Sequence, residues 1–464
     1  MKKNFLLILF FVSLFAQSQN EEKNLEKYWH YKERLHHYFV KVGPDVGESV
    51  VAYVRNKNRG YKRGFTFGDQ TIDLAWYIGV LATEYRLLEN QKENTQETLQ
   101  ALYYAIKAFE RLDRCENEAP WNLDSARLDG FFHRYDVSLY QNPKFFSIEG
   151  RNYQLTDKDK WGTRPAGMPT YISGFDDEGG RFNPYSAEES QDQLIHLLMG
   201  FALVSKCLPD SNLVFYSINN QSINYNFKKA VIENTDRVLQ HISSHAWNIK
   251  NPFGKNVGRG ANALMYAYPL AIIGERITGK SYTTFWSQSW LSKISWDLSR
   301  MPNWVNDFNS TMALTLAALS DSWYDMLPVA HINATGYYIR QCGKVWHRDI
   351  FYQLLYEFIN DKKSKWYQKE ETINTLNTAP FNGPYYWSQD SVVFSCCGKI
   401  PGKPQGGWAY PNKYRGTKKE QEGKGRYPSR GNFSGIDYML LYNLYQLVEQ
   451  PIPYRKLKIS QTLK

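Results

Sequence analysis

The chain has 464 residues, 42% hydrophobic and 16% aromatic, with a formal net charge of +10. This excludes a disordered chain, since there is ample material for a core. It also excludes a small disulfide-stapled scaffold, because only 5 cysteines are present.

Lys2 and Lys3 precede the apolar run "FLLILFFVSLFA", and "QSQNEEKN" follows it. A positive start, a short apolar stretch and then small and polar residues predict a signal peptide over residues 1–18. The run is short for a membrane span, which needs about 20 apolar residues. The mature chain, residues 19–464, is therefore expected to be one exported domain with no transmembrane segment, periplasmic or secreted, from a bacterium. Loss of Lys2 and Lys3 leaves a charge of +8, which suits an acidic polysaccharide or an anionic surface better than nucleic acid.

Apolar periodicity predicts helices over residues 24–42, 69–89, 94–116, 186–207, 224–246, 260–277, 284–298, 309–327, 347–360, 364–377 and 434–448. Strand signals are few; "SVVAYV" near residue 50 is a weak one. The helices near 94, 224 and 364 carry a polar face, whereas those near 69, 188, 260, 309 and 434 are apolar nearly all round and are expected to be buried. Asn94 with Glu97, and Ser186 with Glu189, fit capping boxes. Glu189 and Asp69 accordingly read as caps and not as catalysts.

Alternation of buried and amphipathic helices predicts an all-α fold, an (α/α)6-type toroid of helical hairpins with long ordered loops over one end. The loop regions 115–185 and 378–433 are rich in Trp, Tyr, Phe and Gly, which suits ordered loops that build a binding face.

Buried helices that begin with polar residues are the candidate site. Asp192, Gln193 and His196 open one, Arg259 and Asn262 another, and Asp437 lies early in "NFSGIDYMLLYNLY". Asp192 and His196 are four apart and share a face. A polar stripe on a buried helix must meet a partner or a cavity, because unsatisfied burial is costly.

The stretch "RLDGFFHRYD", residues 127–136, fits neither helix nor strand period. It holds Asp129 and Asp136, with Arg127, His133 and Arg134 beside them. Cleavage of a glycosidic bond needs a carboxylic acid to protonate the leaving oxygen and a second carboxylate as base or nucleophile. Elimination on a uronate needs a base such as His and a cation such as Arg. The stretch carries residues for either, and for a salt-bridged loop packed on Phe131 and Phe132. Trp387 and Trp408, in a basic aromatic loop, suit stacking on sugar rings.

No metal site is expected, since HExxH and CxxC spacings are absent, and no cofactor, since no nucleotide-binding glycine motif occurs. Among the cysteines, Cys396 and Cys397 are adjacent, and pairing of one with Cys342 is one option.

The leader, "FGDQTIDLAWY", "ESQDQLIHLLMG", "RLDGFFHRYD" and "NFSGIDYMLLYNLY" together resemble the bacterial (α/α) toroid, six-hairpin carbohydrate-active enzymes, as architecture only. The resemblance implies a cleft at one end of a helical barrel and a carbohydrate substrate. Asp129, Asp136, Asp192 and His133 are then the candidate catalytic residues. Arg127, Arg134, Gln193, His196, Arg259, Asn262, Trp387, Trp408 and Asp437 are candidates for substrate binding. A glycoside hydrolase is the first expectation; a polysaccharide lyase with a His base and a non-catalytic glycan-binding protein are the alternatives.

Overall fold

The computed structural model describes residues 20–33, 35–36, 40, 53–55, 64–66, 70–117, 121, 123–134, 145–148, 151–154, 188–257, 263–282, 350–361, 369–379, 393–395, 398–400, 432–433 and 435–449. The leader, the predicted helices at 284–298 and 309–327, and Asp136, Arg259, Asn262, Trp387 and Trp408 lie outside them, as does the side chain of Asp192.

The described chain is mostly helical with little sheet. Its helices are α1 (residues 20–33), α2 (Gln70–Asn90), α3 (Gln96–Leu112), α4 (Gln191–Cys207), α5 (Phe227–Ser244), α6 (Ala263–Thr278), α7 (Ile350–Asn360), α8 (Lys369–Thr378) and α9 (Ile436–Glu449). Strands are short: Tyr53–Arg55 pairs antiparallel with Gly64–Thr66 and with Asn432–Phe433, and three two-stranded hairpins accompany them. The predicted strand near residue 50 is the three-residue Tyr53–Arg55.

The expected division into two kinds of helix holds among these. In α2, 17 of 21 residues are buried, whereas α3 buries only 8 of 17, along one stripe from Leu99 through Leu102 and Ile106 to Phe109. The first is an interior rod and the second lies on the outside.

Small residues set how closely the interior rods approach. A methyl added at Gly200 of α4 would stand 2.5 Å from the Ala75 carbonyl oxygen of α2. One added at Gly79 would stand 2.8 Å from Leu203 and 3.4 Å from Leu440 of α9. Asn443 of α9 donates to the Val80 carbonyl and to Thr83 Oγ1, both at 3.1 Å. Positions rise together along all three helices, so α2, α4 and α9 run parallel and start at the same end. Lys206, near the end of α4, pairs with Asp361 after α7, and Arg276 of α6 donates to the Ile359 carbonyl at 2.7 Å. The ends of α4, α6 and α7 therefore meet at the opposite end.

The outer helices run the other way. Thr98 of α3 donates to Glu84 of α2 at 2.5 Å across the hairpin. Tyr28 and Lys32 of α1 also reach Glu84, and His36 meets the Tyr77 hydroxyl at 2.9 Å. Glu84 is fully buried, so its charge is tolerated only because these donors surround it. Helix α5 starts after the Leu213–Tyr216/Ser222–Tyr225 hairpin, to which Gln96 and Gln100 at the start of α3 donate. It thus runs alongside α3 and against α4. Its cap is Asn226, whose side chain accepts from the Lys229 amide at 2.8 Å.

Neither helix starts where its predicted capping box puts it, and Ser186 lies outside the described residues. Asn94 accepts from the Gln96 amide at 2.9 Å, an Asx-type turn, and the helix begins one residue later with Thr95 as a cap that makes no side-chain bond. At α4 the cap residue is Ser190, whose side chain makes no capping bond, and Glu189 stands outside the helix. The Glu189 carboxyl is turned instead to the Phe132 amide, 3.4 Å away. Its dismissal as a mere cap is therefore corrected.

Candidate active site

Helix α3 ends at Leu112, short of the predicted residue 116, and the next residues turn to receive the segment 127–134. This segment is neither helix nor strand because its backbone is held by side chains. The Arg127 amide donates to Glu116 Oε2 at 2.7 Å, and the Gly130 amide to Asp113 Oδ1 at 2.8 Å. The Phe131 amide donates to Asp129 at 3.0 Å and the Phe132 amide to Glu189. The His133 amide closes on the Leu112 carbonyl at 3.0 Å. Gly130 has φ +95, and a methyl there would lie 2.5 Å from the Arg237 carbonyl of α5, so only glycine fits this approach.

The segment seats on the starts of the interior rods. The Arg134 carbonyl accepts from the Thr71 amide at 3.1 Å and from its hydroxyl at 2.5 Å, occupying donors in the first turn of α2. His133 bridges backbone to backbone with Glu188, just ahead of α4. Beneath, Phe131 packs edge-on to Trp121 at 5.5 Å, and Phe132 edge-on to Phe109 at 5.4 Å.

Burial governs the electrostatics here. Asp113 has no exposed side chain, and its Oδ2 takes Arg237 at 2.6 Å. Even so, burial outweighs the guanidinium and raises its carboxyl to about 6. Glu116 is raised to about 7, first by burial and then by the charges of Asp129 and Asp113. Glu189 is raised well above the usual carboxylate range, again chiefly by burial. The Oε1 atoms of both glutamates are buried without a hydrogen-bond partner. The His133 imidazole moves the other way, lowered by burial to about 3. Its Nε2 accepts from the Trp121 indole at 2.5 Å, so the neutral ring carries its proton on Nδ1.

Of the sequence-predicted residues, the structure brings Arg127, Asp129, His133 and Arg134 onto one segment beside the start of α4. Arg127 is exposed, Asp129 half-buried, and His133 and Arg134 buried. Gln193 and His196 are fully buried on α4, with His196 6.4 Å from the Trp76 ring between centroids. Asp437 sits half-buried in the first turn of α9, at the same end by the shared direction of the rods, and accepts from the Tyr438 amide at 2.9 Å. The sequence does not single out Asp113, Glu116, Glu188 or Arg237, and it offers Glu189 only as a cap. Asp113 and Glu116 were read as the end of a helix. The one available clue was that two acids flank Cys115 immediately before an aromatic, glycine-bearing loop.

Among the described residues no cluster of His, Cys, Asp and Glu is arranged to hold a metal ion. Cys115 and Cys207 are buried free thiols, and the other three cysteines lie outside the described residues. No described helix is long and apolar enough to cross a membrane.

No family model and no curated protein sequence matches the chain. Among solved structures it is similar to a single-mutant thermostable endoglucanase from Alicyclobacillus acidocaldarius. The identity is 11% and the TM-score 0.43, over 92% of this chain and 84% of that one. This is too slight a likeness to pass that enzyme's chemistry to this chain.

Proposed function

We propose that the protein is an exported carbohydrate-active enzyme, a glycoside hydrolase, working at the end where α2, α4 and α9 begin. In this reading the leader over 1–18 is removed, and the helices close into the six-hairpin toroid. Support for closure comes from the alternating directions of inner and outer helices and from the packing of the last helix beside α2.

The observation that carries the reading is the mixture of carboxyl environments at one place. Asp129, half-buried, adds its charge to the field felt by Asp113, Glu116 and Glu189, whose burial raises their hold on their protons above that of an ordinary carboxyl. Divergent environments for neighbouring carboxyls are what acid and base roles in glycoside cleavage need. Asp129, Asp136 and Asp192 share those roles. Arg127, Arg134, Gln193, His196, Arg259, Asn262 and Asp437 hold the substrate, and Trp387 and Trp408 stack on its rings. A net charge of +8 once Lys2 and Lys3 leave with the leader favours a polysaccharide or oligosaccharide bearing acidic groups. His133 positions the segment: its Nε2 is occupied and its basicity is low, so a lyase built on it as base is the weaker reading.

A panel of neutral and acidic polysaccharides, assayed for reducing ends and for ultraviolet absorbance, tests this. Reducing ends without absorbance, lost in Asp129→Asn, Asp136→Asn or Asp192→Asn, are expected. Absorbance of unsaturated uronates would point to the lyase, and binding without turnover to a glycan-binding protein.

A further inference from the structure

Four carboxyl groups drawn from three places converge on the backbone of one short segment. Asp113 and Glu116 follow α3, Asp129 lies in the segment, and Glu189 precedes α4; each accepts one of its amides. Arg237 of α5 answers them and is committed to Asp113 and to Asn234, while the segment itself carries two further cations, Arg127, exposed, and Arg134, buried. The nearby histidines add no lasting positive charge. His241 of α5 is lowered by burial and bonds the Lys250 carbonyl, and His133 is neutral. Cys115 is a buried thiol that feels Glu116, Asp113, Asp129 and Glu189, and Glu188 is a further acid, bonded to Asn251.

A neutral carboxyl accepts an amide hydrogen bond without a charge to solvate. An ionised one, buried and with an oxygen left bare, is costly, and several together repel one another. Glu116 Oε1 and Glu189 Oε1 are such oxygens. We propose that residues 127–134 are an acid-held latch over the starts of α2 and α4, seated at low pH and loosened as the pH rises to neutrality. The device is independent of which substrate the protein takes. The sign follows from the raised affinity of Glu116 for its proton: seating is full below its unfolded value of 4.5 and is lost as the pH passes about 7. Loosening frees the Thr71 amide and hydroxyl from the Arg134 carbonyl, and so bares the first turn of α2.

Hydrogen exchange of the full-length chain at pH 5.5 and 8.5, corrected for intrinsic rates and followed by mass spectrometry, tests the latch. Glu116 alone predicts that protection of the peptide spanning 127–134 falls on the order of 30-fold between those pH values. The body of α4 should fall less. Glu116→Gln with Glu189→Gln keeps both acceptors and removes both charges, so protection should stay high at either pH. Unchanged protection in the wild-type chain overturns the proposal, as does an equal fall in the double variant. If the double variant does not fold, the wild-type comparison of segment against α4 still decides.

Discussion

Arg237 and Asp113, 124 positions apart in the chain, are joined by a hydrogen bond of 2.7 Å from Arg237 Nε to Asp113 Oδ2, with Arg237 Nη2 in an ion-pair contact of 2.6 Å to the same oxygen. The pair ties the middle of α5 to the end of α3, and its other oxygen fixes Gly130. Removing the guanidinium leaves a buried acid with no counter-charge. Arg237→Ala should cost about 3–5 kcal/mol in urea unfolding. Arg237→Lys, which keeps the charge but not the fork, should cost less.

Gly200 marks the contact between α2 and α4. Gly200→Ala puts a methyl against backbone, not against a side chain that can swing away. Overpacking of this kind costs about 1–3 kcal/mol, read as a lower melting temperature. Gly254→Ala is the control for Gly substitution at open space, since nothing lies within 4 Å there, and its cost should come from its φ of +73 alone.

Stability should respond to pH from both sides. Asp113 and Glu116 have folded values of about 6 and about 7, above their ordinary 3.8 and 4.5, so their contribution is full below about pH 4 and lost through pH 7. His133 is lowered from 6.5 to about 3, so its contribution is full above 6.5 and lost as pH falls towards 3. In chemical denaturation across pH 3–9, Glu116→Gln should flatten the loss between pH 4.5 and about 7, and His133→Asn the loss in acid. In the wild-type chain, nitrogen-resolved NMR should find the His133 ring neutral, protonated at Nδ1, down to about pH 4.

On the proposed chemistry, Asp129→Asn should lower kcat/KM roughly 100- to 10,000-fold with the fold intact by circular dichroism. A folded Asp129→Asn protein of unchanged activity on its true substrate would remove this residue from the acid and base roles.

Helices were legible because burial on all sides and burial on one stripe leave different apolar periods, as α2 and α3 do. The segment at residues 127–134 was legible only as an anomaly. What holds it, Asp113 with Arg237 and Glu189 with Phe132, depends on contacts between positions far apart, which no local period encodes. Glu189 was misread for the same reason: Ser186 and Glu189 match a capping pattern locally, but the carboxyl goes to a distant amide. The rule that a helix start prefers a Ser/Thr–Glu box gave way to the gain from satisfying a buried N–H.

Asn443 in the final helix bonds the Tyr28 hydroxyl as well as the α2 backbone, and Tyr28 in turn holds Glu84. The seal over one face of α2 is thus supplied by segments 415 positions apart. While the chain is being synthesised, that face stays open until α9 arrives. A protein stitched this way completes its interior late, and the open face needs shielding from aggregation until then.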